Sequence, residues 1–218
     1  MASFFNLTLD TTGPQSVAVS INSGAAKTNT RLVNLAISTA DGNTTGYQMK
    51  IWGIDGKATE GSASWETFQS AKQVTLPTGD GTKTVYVKLR DDVYNESATV
   101  SDTIVLDTNV PVVTITGPDY SKISKVGGKD TATISFVSDV DFVEYKVCVV
   151  SASTDTQALG TVIPTTGGST NTSGSGSFDA QDDITVTIKG ADLEAASAGD
   201  GTKIVKVFVK TDGDNWSV

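Results

Sequence analysis

The side chains able to do chemistry in this sequence are acidic or amide-bearing, and they gather at two places. Asp91, Asp92, Asn95 and Glu96 form one group, and Asp212, Asp214 and Asn215 the other. Hard oxygens of this kind are what calcium accepts. The spacing is not that of an EF-hand loop, and Asp and Asn in tight turns commonly accept hydrogen bonds from their own backbone. A turn-forming role therefore weighs against calcium binding, and these six Asp and Asn positions are the only metal candidates. The chain has no histidine, which removes the commonest general base and zinc ligand together. A single cysteine, Cys148, excludes thiolate clusters and intrachain disulfides, and its apolar setting FVEYKVCVV reads as an inert strand. The expectation is a non-enzymatic protein with no catalytic residue and no cofactor.

Both acidic groups end a repeated segment. Residues 79–97 read GDGTKTVYVKLRDDVYNES and residues 199–217 read GDGTKIVKVFVKTDGDNWS, identical at ten of nineteen positions. In each, GDG supplies the positive φ angles of a tight loop. Val85, Val87 and Leu89, or Val205, Val207 and Val209, then alternate at the period of a half-buried strand. A second pair of segments, LDTTGPQSVAVSI at 9–21 and LDTNVPVVTITGP at 106–118, opens each copy. Between opening and end lie matching alternations: Val33, Leu35, Ile37 against Ala132, Ile134, Phe136, then Tyr47, Met49, Ile51 against Val143, Tyr145, Val147, Val149. Segments 72–77 and 182–190 read as a further strand in each copy. Val, Ile and Leu set among many Thr, Ser and Gly speak for strands and turns. The chain is expected to be all-β, with an N-terminal strand at 1–10, one domain at 11–107 and a second at 108–218.

Short alternating strands broken by Gly, Asp, Asn and Pro describe a β-sandwich of immunoglobulin type. The DTxxP opening and the GDGTKxVxVxxxD…NxS ending resemble the Ig-like repeats of bacterial and phage proteins. The resemblance covers both halves. It implies a phage virion structural protein, foremost a capsid decoration or accessory protein. The alternatives it leaves are a tail or baseplate accessory protein of a phage and an Ig-like module of a bacterial surface adhesin.

The net charge of −9, with no run of Lys or Arg, speaks against nucleic-acid binding. No stretch has the length of an apolar membrane span, and MASFFNLTLD lacks a basic region followed by a long apolar core. The expected setting is the virion, assembled in the host cytoplasm. Its expected partners are other capsid or tail proteins and further copies of the chain, with neither nucleic acid nor membrane. Two stretches lengthen the second copy: the Ser/Thr/Gly-rich residues 151–180, and 189–198, where ADLEAAS favours one or two helical turns. The first is expected to pack on a neighbouring subunit, with a floppy surface loop as the other reading. Trp52, Trp65 and Trp216 read as core or interface and not as sugar-stacking residues.

The copies differ beyond the repeated ending. After the first comes ATVSDTIVLD, residues 98–107, a last strand. After the second, the sequence reaches only Val218. Residues 6–14, NLTLDTTGP, align with residues 103–111, TIVLDTNVP, where that last strand runs into the next domain. This predicts that residues 3–10 fill the last-strand position of the second domain in a neighbouring copy, with an ordinary first strand of domain one as the other reading. The interface would then involve Phe4, Phe5, Leu7, Leu9, Val205, Val207, Val209 and Trp216.

Overall fold

A computed structural model of the chain describes residues 5–218. It divides into two units, one ending at Thr108 and the other beginning at Asn109. Both are β-sandwiches.

In the first unit, β1 (Ala18–Ile21), β2 (Lys27–Thr28), β3 (Leu32–Ser38), β4 (Gln48–Trp52), β5 (Glu66–Thr67), β6 (Ala71–Thr75), β7 (Gly81–Arg90) and β8 (Val100–Leu106) form two sheets. One has the order β1-β3-β6 and the other β2-β8-β7-β4-β5. Strand β3 shows why the sheets face each other: Val33, Leu35 and Ile37 are buried while their neighbours are exposed, the period of two that a one-faced strand imposes. Met49, Ile51, Val85, Val87, Leu89 and Ile104 meet them from the second sheet.

The second unit contains β9 (Val113–Thr116), β10 (Thr131–Ser138), β11 (Phe142–Val150), β12 (Thr161–Val162), β13 (Ser173–Phe178), β14 (Ile184–Lys189), α1 (Gly190–Ala196) and β15 (Ile204–Lys210). Its first sheet is β9-β10-β14. In its second sheet β11 carries β15 along one edge and β12 and β13 in succession along the other. Ile134, Phe136, Tyr145, Val147, Val186 and Val209 fill the core, with Phe142 stacked on Phe178 at 4.8 Å between ring centroids. Phe142 turns inward through a register shift between Phe142 and Glu144, which simple alternation does not foresee.

The entry to each unit is pinned by a carboxylate. Asp41 accepts from Gln15 N at 3.2 Å and Asp139 from Val112 N at 2.8 Å, while the Gln15 and Val112 carbonyls accept from Ala40 N and Asp139 N. Asp41 also accepts from the Tyr47 hydroxyl at 3.2 Å. Burial, and then this bond, push the phenol up to about 12. Among the described residues no helix is long and apolar enough to cross a membrane.

Candidate functional site

The repeated endings fold into twin turns. Leaving β7, Asp91 N donates to Asn95 O at 3.1 Å and Tyr94 N to Asp91 O at 3.2 Å; leaving β15, Thr211 N donates to Asn215 O at 3.0 Å and Asp214 N to Thr211 O at 3.1 Å. Tyr94 and Asp214 both sit in the left-handed region, at φ 71° and 68°. Ser97 and Ser217 close the turns alike, each donating its N–H to the carbonyl of Leu89 or Val209 at 2.9 Å and accepting from the same residue's N–H at 3.0 Å.

These bonds decide what the metal candidates do. Asp91 is buried, and its carboxylate accepts from Val93 N, Asn95 N and Asn95 Nδ2 at 2.8–2.9 Å, so its oxygens serve the turn. Asp92 is exposed beside Gly46, and Glu96 pairs with Lys88 at 3.1 Å. Asp212 is exposed, Asp214 pairs with Lys210 at 3.3 Å, and Asn215 is buried with its N–H on Thr211 Oγ1. Among the described residues no group of three or more His, Cys, Asp or Glu is placed to hold a metal ion.

The twin strands differ in their surroundings. β7 has β4 on one side and β8 on the other, paired from Gly81↔Leu106 to Val87↔Val100. β15 pairs with β11 alone, and on its far side only the end is engaged, by an isolated bridge from Lys210 to Trp216 and the bonds of Ser217. Among the described residues, the backbone edge over Ile204–Phe208 therefore has no strand beside it. The length of β15 records this. β7 begins at Gly81, whereas the twin residues Gly201, Thr202 and Lys203 precede the start of β15. In β7 the first three residues pair only with Leu106, Val105 and Ile104, and among the described residues no counterpart of β8 holds their twins extended. Asp80 repeats the contrast. It accepts from Thr108 N and Oγ1 at 3.1 and 2.8 Å where the chain leaves β8, while its twin Asp200 makes no corresponding bond among the described residues.

At the other end of the chain, Phe5, Leu7 and Leu9 are 85%, 87% and 86% exposed, and residues 5–9 pair with no strand. Among the described residues 5–10 no first strand of domain one is formed; β1 begins at Ala18. Phe4 lies outside the described residues. The root of this arm is fixed, because Asn95 Nδ2 donates to Asp10 O at 3.3 Å and Gly13 packs so closely on Glu96 that a Cβ there would meet its carbonyl.

The remaining interface candidates, Val205, Val207, Val209 and Trp216, all pack within the second domain. Val207 and Val209 point into the core of the second domain and Val205 packs against it, because β15 turns that face toward β9, β10 and β14. What β15 can present to a partner is its backbone edge, with those valines behind it. Trp216 folds back over Cys148, Val150 and Phe208, with Lys146 and Lys210 at 4.7 and 5.6 Å from its ring centroid. Lys210 also pairs with Glu144 at 2.9 Å, and that bond, assisted by Lys146 against the cost of burial, holds Glu144 below the usual carboxylate range.

The Ser/Thr/Gly-rich insertion pairs within its own domain. Strands β12 and β13 pair with β11, and Ile163 and Thr172 are buried. Cys148, an outward position by alternation, is covered through close packing of Gly160, and burial raises its thiol. Sequence reasoning missed the residue that holds the insertion down. Asp192, buried in the first turn of α1, accepts from Gly167 N at 2.6 Å, Ser169 N at 2.8 Å and Thr166 Oγ1 at 3.4 Å. Burial alone would raise its pKa, but these bonds prevail and hold it low. The available signal was an acid in the first turn of a short helix.

In the first domain the outward aromatics are similarly engaged. Trp52 stacks on Tyr86 at 5.5 Å, and Arg90 lies 4.5 Å from the Trp65 ring centroid and 4.3 Å from that of Tyr94.

Among solved structures, the fibronectin(III)-like modules of Clostridium thermocellum CbhA are similar over 92% of this chain and 90% of theirs, at 14% identity and a TM-score of 0.50. Both domains have the immunoglobulin-like β-sandwich fold. Weaker likenesses include the FN1–FN3 domains of chicken CNTN1, at 11% identity over 94% of this chain and 63% of that one, TM-score 0.40. The D00–D0 domain of intimin matches at 15% identity over 88% and 91%, TM-score 0.29. No protein-family model matches the chain, nor does the sequence of any curated protein.

Proposed function

We propose that the protein is a non-enzymatic structural protein of a phage virion, a capsid decoration or accessory protein that binds other virion proteins. The observation that carries this reading is the pair of GDGTK…NxS endings, which resemble Ig-like repeats of phage particles and fold as twin strand-and-turn units, with Asp91, Thr211, Ser97 and Ser217 committed to the turns. A tandem of such sandwiches supplies edges and faces for protein contact. The acidic surface suits a protein that must stay dispersed until it meets its shell. The test is immunogold labelling of purified particles, and of whole cells, with antibody to the purified protein. Dense labelling of the capsid is expected. Label confined to a cell surface, with clean particles, would overturn the reading in favour of an adhesin module, and label at the tail alone would overturn the capsid assignment.

A further inference from the structure

The edge of β15, which carries no strand among the described residues beyond its pairing with β11, and the unpaired arm at residues 5–9 are complementary in sequence and in register. Strand β8 fills the edge of β7 with Ile104 and Leu106, each 1% exposed, pointing into the core. Aligned through the shared LDT, Leu7 and Leu9 occupy the places of Ile104 and Leu106, and Thr11 that of Thr108. We propose that residues 5–9 of one copy lie antiparallel along the β15 edge of a second copy, in the register that β8 adopts on β7. Leu9 would then oppose Gly201, Thr8 Thr202, Leu7 Lys203, Asn6 Ile204 and Phe5 Val205.

This arrangement accounts for three observations at once. Two large apolar side chains stand nearly fully exposed on the arm although their twins are core residues. Gly201–Lys203 lack the extended pairing of Gly81–Lys83 and would gain it. Asp200 would receive the Thr11 N–H and hydroxyl as Asp80 receives those of Thr108. The step from arm to domain is also written twice: Leu9-Asp10-Thr11 leads to Gln15 on Asp41, as Leu106-Asp107-Thr108 leads to Val112 on Asp139. The contact joins two different surfaces, so repetition produces a ring or an open array. The inference rests on reading the protein as an assembling structural module but not on the particle it serves. A chain that failed to self-associate yet labelled capsids would overturn this inference and leave the virion reading standing.

The test is sedimentation velocity on the purified chain over a wide concentration range, beside the double variant Leu7→Asp/Leu9→Asp. Both positions are exposed in the free chain, so the variant folds normally, which a circular dichroism melt verifies. Concentration-dependent association that weakens at least tenfold in the variant is expected. A monomer at every concentration, or association unchanged by the variant, overturns the proposal. Register is read by oxidising Asn6→Cys/Ile204→Cys. A ladder of disulfide-linked oligomers is expected, weaker in Asn6→Cys/Lys206→Cys, whereas a cross-linked monomer alone would show the arm closing on its own chain and overturn the second-copy assignment.

Discussion

Asp91 and Thr211 occupy the same place in twin turns and solve it with different chemistry. The carboxylate accepts three bonds where the hydroxyl accepts the N–H of Asn215. Asp91→Ala removes three part-buried hydrogen bonds and is expected to lower the stability of the first domain by about 1–2 kcal/mol, with Asp91→Thr costing clearly less, as chemical denaturation would show. Because the Asp91 oxygens are engaged by Val93 N and by the backbone and side-chain amides of Asn95, millimolar calcium is expected to leave the melting temperature unchanged, and a calcium-dependent rise would contradict the turn assignment. Asp192 gives the pH-dependent case. Its pKa is depressed in the folded state, so its contribution is complete above the unfolded value of about 3.9 and is lost as pH falls through the folded value. Asp192→Asn is therefore expected to destabilise the second domain at neutral pH, and the gap from the parent chain to narrow in acid, measured by denaturant midpoints at both pH values.

At the scale of elements, most strands were readable because one-sided burial writes a period of two. Val33, Leu35 and Ile37 are plain in the sequence and buried in the sheet. The same rule misplaced Cys148 and Phe208, which alternation puts outside, because the insertion and Trp216 cover the outer face of β11 and β15. Nor did polarity reveal that residues 151–180 pair with β11. Pairing there is carried by backbone groups, as in the Ser/Gly run of β13, and by Asp192, distant in sequence. The arm's root depends on one close approach. Gly13→Val drives a side chain into the Glu96 carbonyl, and a loss of about 1–3 kcal/mol in the first domain is expected from its unfolding midpoint. The contrast between the two copies was legible in the sequence, whereas it did not tell that Val207 and Val209 lie in the core behind the edge of β15, since sequence does not separate a strand's edge from its faces.

For the whole molecule, charge opposes the assembly that the edge invites. Copies carrying −9 repel one another, and salt screens that repulsion, to a Debye length of about 8 Å at physiological ionic strength. Self-association is therefore expected to strengthen as sodium chloride is raised from low to physiological levels, with light scattering as the readout. The proposed assembly turns on whether strand β15 is completed by the arm of another copy. Amide hydrogen exchange at Gly201–Ile204 reads that pairing at the edge itself, on concentrated parent protein and on Leu7→Asp/Leu9→Asp side by side. Slow exchange at these amides is expected in the parent, approaching that of Gly81–Thr84, and fast exchange in the variant. Equally fast exchange in both would contradict the pairing.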